Sequence, residues 1–234
     1  MTAPLARVRW AQATRIIASR FPPIDLYERV SDDPADWEAL IKAEMLVNPR
    51  LRDAVGDIAL VPPEERVSGP GATWVMASFT HLNPKGSRFS DGSYGVYYAA
   101  ADLATAIAET AYHFGRFAAD SGDGPRREDM RVLVGRVDAE FHDVAALDAE
   151  RRARILHPSD YAEARAFGAA LRAEGSNGVV YPSVRRAGGA CIGAFRPKAV
   201  GAPVQERHLQ YHWDGIAVRR YFDYREERWF DLPG

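Results

Sequence analysis

The sequence predicts a mixed α/β (α+β) fold built around one main domain. Short apolar runs typical of buried strands interleave with longer segments in which apolar residues recur every three or four positions, as in amphipathic helices. The two kinds of segment do not alternate strictly, which argues against a doubly wound parallel sheet and favours a mixed sheet. The predicted strands are 72–80, 95–100, 130–137, 179–184 and 191–195, and the predicted helices are 33–48, 51–58, 103–114 and 159–172.

The first 71 residues are expected to form an N-terminal helical extension. Residues 1–30 show no clean period, but Asp33 is a good N-cap and Pro34 suits the first position of a helix. A second, similar helix start follows. The prolines and glycines of 61–71 then predict a loop that marks a domain boundary.

Residues 72–200 are expected to form the core of the domain. The run 72–80 is rich in aromatic and branched apolar side chains, which favours a strand. Asp102 is placed to cap the helix that follows it, and the two apolar runs between 179 and 195 are separated by glycine-containing turn residues, as in a β-hairpin. Residues 201–234 show no clear period and are expected to pack on the core as a tail.

Length and composition describe a globular chain with one sizeable core. The chain has 234 residues, a formal net charge of −2 and a single cysteine. The near-neutral charge gives no whole-molecule field for nucleic acid or an anionic membrane, and one cysteine excludes an internal disulfide framework. Signal-peptide and membrane-span patterns are absent, so we expect a cytoplasmic protein with no nucleic-acid or membrane partner.

Several common site motifs are missing. Gly69 and Gly71 begin like a dinucleotide-binding loop, but the third glycine is absent. There is no phosphate-binding loop ending in Gly-Lys-Ser/Thr and no Gly-x-Ser-x-Gly nucleophile elbow. His208 and His212 lack an evident third ligand, so surface or packing roles are favoured over a metal site. Cys191 lies in an apolar run and is expected to be a buried small side chain rather than a nucleophile.

Three places put chemically capable side chains at expected strand ends and loops. Arg88 lies in the Gly/Ser-rich loop 87–92, where a guanidinium can bind phosphate, although an ordinary loop arginine fits equally well. Tyr98 and Glu109 lie on a strand and on the next helix, and small residues around Glu109 would let a ligand approach. Ser183 follows a proline that ends a buried strand.

The spacing of these residues resembles the RES-domain family. The stretches that carry the likeness are 87–98 (SRFSDGSYGVYY), 106–110 (AIAET) and 179–185 (VVYPSVR). Shorter members of the family usually have Gly-Arg-Trp where this chain has Ser87, Arg88 and Phe89, and they place a further arginine in an early strand. Arg29 is one candidate for that arginine and Arg20 is the other.

The resemblance implies a fold related to ADP-ribosyltransferases and a bacterial toxin that consumes NAD⁺, in some members by phosphorolysis to ADP-ribose-1″-phosphate and nicotinamide. It also implies an Xre-type antitoxin as partner, and it leaves a homo-oligomer open. NAD⁺ would be the substrate and inorganic phosphate a co-substrate, with no other cofactor and no metal. The core 72–200 would then be the catalytic part of the chain.

Within that scheme, four residues are expected to act in catalysis. Glu109 would stabilise positive charge on the ribose, Tyr98 would contact nicotinamide or ribose, and Arg88 and Ser183 would hold phosphate oxygens. Ser87, Ser90, Arg29 and Arg185 are further candidates for binding. Two alternatives stay open, an ADP-ribosyltransferase that modifies a macromolecule and a non-catalytic binding module on the same fold.

Overall fold

The computed structural model describes residues 3–20, 33, 36, 37, 39, 40 and 56–232. Eight strands form one sheet in the order β1-β2-β5-β4-β3-β6-β7-β8, with a further pairing between β1 and β3. The strands are β1 (Leu5–Ala18), β2 (Tyr97–Ala100), β3 (Arg126–Asp143), β4 (Gly178–Pro182), β5 (Ala190–Ala194), β6 (Val204–Trp213), β7 (Val218–Asp223) and β8 (Arg228–Asp231). The strands β3 and β4 pair in parallel and the other recorded pairs are antiparallel, so the predicted mixed sheet is confirmed.

The double pairing of β1 closes part of the sheet on itself. β1 runs along β3 from Leu5 to Ala18 and also touches β2 through Thr14 opposite Ala100. Strands β1, β2, β5, β4 and β3 therefore form a ring, and β6, β7 and β8 extend the sheet from β3.

Four helices with described bounds pack on this sheet: α1 (Ala72–Thr80), α2 (Leu103–Asp120), α3 (Ala149–Ile155) and α4 (Ala162–Ala173). One apolar cluster includes Ile107 of α2, Val132 of β3 and Leu171 of α4. A second cluster contains Met76 of α1 and Val137 of β3. None of the helices in the described part of the chain is long and apolar enough to cross a bilayer.

The prediction of a strand at 72–80 is wrong, because this segment is the helix α1. Its buried residues are Ala72, Thr73, Val75, Met76, Phe79 and Thr80, which recur at the three- and four-residue spacing of a helix. The aromatic and branched side chains suggested a strand, but burial along one helical face determines the structure here. Side-chain type is a weaker signal than periodicity.

The prediction of a purely helical N-terminal region is wrong for residues 5–18, which form β1. The register between β1 and β3 shifts between Trp10 and Ala13, so an irregularity interrupts the strand. The extra residue in β1 at this irregularity turns every later side chain of the strand to the opposite face of the sheet. The alternation of buried and exposed positions is therefore interrupted, and the sequence shows no regular two-residue period. Within the predicted helix 33–48, Trp37, Ala39 and Leu40 are helical and most other residues lie outside the described part.

The C-terminal region contributes strands to the same sheet. β6 pairs with β3 over most of its length, and β7 and β8 follow as antiparallel neighbours. In β7 and β8 arginines and aromatic residues occupy both faces, which hides a two-residue period, whereas in β6 the buried residues Leu209, Tyr211 and Trp213 do alternate. The division of the chain at residues 71 and 200 stays a prediction.

Candidate functional site

A cavity of about 910 Å³ opens between β1, β2, α2 and two loops, 83–88 and 159–162. Pockets of this size bind drug-sized ligands or cofactors. Of the eight residues predicted to form the site, Ser87, Arg88, Tyr98 and Glu109 line the cavity. Ser90, Ser183 and Arg185 are not in the cavity wall, and Arg29 lies outside the described residues.

Arg88 projects from a loop that other side chains hold in place. Arg165 donates through Nε to the Ser87 carbonyl at 3.0 Å and through Nη2 to the Lys85 carbonyl at 2.8 Å. The hydroxyl of Ser90, which was expected to bind ligand, instead donates to the Tyr94 carbonyl at 2.6 Å and accepts from Gly92 N at 3.0 Å. Ser90 therefore stabilises the loop through hydrogen bonds to its own backbone.

The Arg88 guanidinium is 4% exposed and only partly satisfied. Its Nη1 donates to the carbonyls of His157, at 2.9 Å, and Ile155, at 3.4 Å, and its Cζ lies 4.5 Å from the centre of the Tyr161 ring. Nη2 is buried and has no hydrogen-bond partner in the structure as described. A buried donor without an acceptor is costly, so this nitrogen is ready to bind an anionic ligand.

Tyr98 connects the loop 87–92, called here the arginine loop because it carries Arg88, to the sheet. Its hydroxyl lies 2.8 Å from Ser87 Oγ and accepts a hydrogen bond from Phe89 N at 3.0 Å. Burial raises the pKa of Tyr98 to about 12, with the hydrogen bonds to Ser87 and Phe89 and the charge of Arg88 acting in the opposite direction. The hydroxyl therefore stays protonated at neutral pH and can fix the position of the loop that carries Arg88.

Glu109 lies on α2, about two turns from its capped start. Asp102 accepts a hydrogen bond from Thr105 N at 2.9 Å, which confirms the predicted N-cap. Glu109 Oε1 accepts hydrogen bonds from Ser183 Oγ at 2.7 Å and from Val184 N at 3.1 Å. No described residue donates a hydrogen bond to Oε2, so one carboxylate oxygen is anchored and the other can meet a ligand.

Ser183 contacts Glu109 directly, a relationship that the sequence did not suggest. Its hydroxyl donates to Glu109, and its oxygen accepts from the backbone amides of Arg185, at 3.1 Å, and Arg186, at 3.0 Å. A serine has one hydroxyl proton, so in this geometry Ser183 has no donor left for a phosphate oxygen. The structure thus shows contact of Ser183 with Glu109, and its contact with phosphate stays a prediction.

Arg185 also lies beside the cavity rather than in it. Its Cζ lies 3.3 Å from the centre of the Tyr112 ring, and its Nη2 donates to the Pro158 carbonyl. Arg88 and Arg185 thus both hold the turn between α3 and α4 through backbone carbonyls. The prediction that Arg185 binds ligand directly is not supported by this geometry.

Arg15 of β1 is a site residue that the sequence reading missed. It lines the cavity, and its Nη1 donates to the Tyr98 carbonyl at 3.0 Å, while its Nε is buried without a partner among the described residues. Burial lowers the pKa of Arg15, but a guanidinium stays charged at neutral pH. Arg20 instead lies 3.6 Å from Glu128 and outside the cavity wall. Arg15 is therefore the early-strand arginine nearest the site.

The cavity wall carries more cationic than anionic side chains. Five cationic side chains and three carboxylates line it, which leaves a surplus of two positive charges before His113 is considered. The cations are Arg15, Lys85, Arg88, Arg116 and Arg165, and the carboxylates are Glu109, Asp120 and Asp160. A chain with a net charge of −2 therefore has a locally positive cavity, which favours an anionic ligand.

The two histidines and the cysteine considered in the sequence analysis do not form a metal site or a nucleophile in the described residues. His208 and His212 lie on β6, and the described residues contain no cluster of three or more His, Cys, Asp or Glu side chains that could hold a metal ion. Cys191 is 3% exposed at the cavity wall, and burial raises the pKa of its thiol. The thiol is therefore protonated and a poor nucleophile at neutral pH.

Comparison with known proteins identifies the family. A chain in the crystal structure of the M. tuberculosis MbcT–MbcA toxin–antitoxin complex aligns with 89% of this chain and 87% of its own length, at 10% identity and a TM-score of 0.40. Over 209 residues the chain is 32% identical to the uncharacterised protein y4oC of Sinorhizobium fredii, covering 87% of this chain and 84% of that protein. The RES-domain model matches residues 63–214, more than half of the sequence. The chain therefore belongs to the RES-domain family.

Proposed function

We propose that this protein cleaves the nicotinamide–ribose bond of NAD⁺, with inorganic phosphate or water as acceptor. One observation carries the proposal: the cavity has a positive wall, and Glu109 presents one carboxylate oxygen to it while the other is anchored. NAD⁺ combines an anionic pyrophosphate with a cationic nicotinamide ribose. A positive wall with one fixed carboxylate matches that distribution of charge.

The proposed reaction proceeds through an oxocarbenium-like transition state, by analogy with glycoside cleavage. The electron pair of the broken C–N bond leaves with the nicotinamide ring, which becomes neutral, so no acid is needed for the leaving group. Positive charge develops on the ribose, and Glu109 Oε2 stabilises it. Because Ser183 and the Val184 amide hold the carboxylate in advance, little reorganisation is needed during the reaction.

Arg88 and Arg15 are the proposed anion-binding groups. Each has a buried nitrogen without a hydrogen-bond partner among the described residues, Nη2 in Arg88 and Nε in Arg15. Both line the same cavity as Glu109. In this proposal they hold the pyrophosphate of NAD⁺ or an attacking phosphate. Tyr98 fixes the arginine loop to the sheet through its hydrogen bonds to Ser87 and Phe89.

In the cell, the proposed role is that of a toxin in a toxin–antitoxin pair. Membership of the RES-domain family supports this role, because the family resemblance implies NAD⁺ depletion and an Xre-type antitoxin as partner. An antitoxin that covers the cavity mouth would restrain the enzyme by excluding NAD⁺. Co-expression with the adjacent open reading frame should restore growth of cells that express this protein.

The direct test is incubation of the purified protein with NAD⁺, with and without inorganic phosphate, followed by mass analysis. Release of nicotinamide with ADP-ribose phosphate indicates phosphorolysis, and free ADP-ribose indicates hydrolysis. Glu109→Gln should abolish NAD⁺ loss while its circular dichroism spectrum stays unchanged. No NAD⁺ loss by the wild type would refute the proposal, and label appearing on a macromolecule would indicate an ADP-ribosyltransferase instead.

A further inference from the structure

We propose that His113 is the general base that takes the proton from water when water is the acceptor, and that it therefore sets how much hydrolysis accompanies phosphorolysis. This inference rests on the proposed NAD⁺ cleavage and names a further residue of that same site. His113 belongs to none of the stretches in which the family likeness was recognised.

The helix places His113 next to Glu109. The two residues are four positions apart on α2 and so share one face. His113 Nε2 lies 3.9 Å from Glu109 Oε2, the oxygen that no described residue hydrogen-bonds. The His113 side chain is 48% exposed, against 14% for Glu109, and both line the cavity. The imidazole is therefore the more solvent-accessible of the two groups.

The separation of 3.9 Å suits a shared oxygen atom. An oxygen about 2.8 Å from both Nε2 and Oε2 would form hydrogen bonds of ordinary length to the two groups. Glu109 Oε2 is also the atom proposed to face the developing charge on the ribose. An oxygen held between the two side chains would thus lie beside the carbon that it attacks.

The surroundings of His113 keep its imidazole neutral. Partial desolvation of the half-exposed ring lowers the pKa of His113, the guanidinium groups of Arg185, Arg88 and Arg116 act in the same direction, and Glu109 opposes them. These groups belong to α2, the arginine loop and the segment after β4. Its ring meets that of Tyr112 edge-on, with centroids 5.3 Å apart. At neutral pH the imidazole can therefore accept a proton, provided that Nδ1 carries the ring hydrogen.

The step balances without a further reactant. An O–H bond of water breaks and its proton goes to His113 Nε2, while the oxygen electron pair forms the new bond to the ribose carbon. The electron pair of the C–N bond leaves with nicotinamide, and His113 returns its proton to solvent after product release. A phosphate dianion attacks through an oxygen that carries no proton, so phosphorolysis by the dianion does not need His113.

The test compares hydrolysis and phosphorolysis at pH 8, where the phosphate dianion prevails. His113→Gln should lower ADP-ribose formation in phosphate-free buffer by about 100-fold, the range typical of general acid–base catalysis. Formation of ADP-ribose phosphate at saturating phosphate should stay within about twofold of wild type, because the attacking oxygen needs no base. His212→Gln is the matched control, since His212 packs on Trp229 away from the cavity and should change neither rate.

A second variant separates chemistry from structure. His113→Ala should lose hydrolysis in the same way, and added imidazole should restore it, whereas imidazole should not restore activity to Glu109→Gln. Hydrolysis by His113→Gln at the wild-type rate, an equal loss of both reactions, or a wild type that never forms ADP-ribose would overturn the role of His113. If the wild type forms neither product, the proposed function itself fails.

Discussion

The hydroxyl of Ser183 donates to Glu109 Oε1 at 2.7 Å and ties the end of β4 to the middle of α2 across 74 residues of sequence. The Val184 amide reinforces the contact at 3.1 Å. The same hydroxyl oxygen accepts the Arg185 and Arg186 amides, which fixes the turn that follows β4. Glu109 is therefore held by one side-chain hydroxyl and one backbone amide of the same hydrogen-bonded turn.

Ser183→Ala should lower kcat with little change in the KM for NAD⁺. The variant loses the hydrogen bond that holds the carboxylate, and a displacement of about 1 Å at a reacting group can cost about 100-fold in rate. Steady-state kinetics separate the two parameters, and Ser183→Thr should recover part of kcat. Ser93→Ala is the control, because Ser93 Oγ bonds only to Asp91 in an exposed loop. A higher KM at unchanged kcat would instead show that Ser183 contacts the substrate.

Arg15→Ala should weaken NAD⁺ binding, whereas Arg20→Ala should not. Hydrogen bonds to charged groups contribute about 1.5–3 kcal/mol, which corresponds to a loss of about 10- to 100-fold in affinity. Calorimetric titration on Glu109→Gln protein, which should bind NAD⁺ without consuming it, provides the measurement. Equal losses in the two variants would remove Arg15 from the proposed anion site.

Tyr98→Phe should destabilise the fold and lower turnover together. The change leaves the Phe89 amide without its acceptor, and an unsatisfied buried group costs about 1–3 kcal/mol. For a chain of this size that corresponds to a fall in Tm of about 2–12 °C. Differential scanning calorimetry checks the stability, and Tyr224→Phe, on an exposed residue of the C-terminal region, serves as control. An unchanged Tm would mean that the tyrosine hydroxyl does not hold the loop.

Acidification should destabilise the wild type more than His113→Gln. The pKa of His113 is lowered to about 4 in the folded protein, against about 6.5 for an unperturbed histidine. Between these values the unfolded chain binds a proton that the folded protein does not, so the free energy of unfolding falls as the pH falls from 6.5 towards 4. The variant lacks this contribution. Urea unfolding at pH 7 and pH 5 measures the free energy of unfolding of the two proteins. An equal fall in both between these pH values would contradict the lowered pKa of His113.

Local signals in the sequence predicted the local parts of the fold. Helix α2 was identified from its apolar spacing and its Asp102 cap, and the hairpin of β4 and β5 from two apolar runs around a glycine turn. These features depend on neighbouring residues, so short-range chemistry specifies them. The predicted helix 159–172 was likewise identified from its apolar spacing and corresponds to α4, which is followed by Gly175 with φ 78°.

The parts of the site that depend on long-range contacts were not predicted. Arg15 reaches the cavity only because β1 pairs with β3, and the irregularity after Trp10 conceals the strand. His113 has no distinctive sequence signal beyond its place four residues after Glu109. Ser183 and Glu109 are 74 residues apart, and no local pattern in the sequence links positions so distant. Both residues were therefore identified from the sequence, but their hydrogen bond was not.

The pairing of β1 with both β2 and β3 has a consequence for biosynthesis. Arg15 leaves the ribosome long before the end of its partner strand β3 at Asp143, and the anchor of Glu109 comes later still, at Ser183. Contacts this distant in sequence form slowly. The nascent chain therefore cannot assemble the cavity before Ser183 has been translated, and the activity proposed above would be absent from any shorter polypeptide.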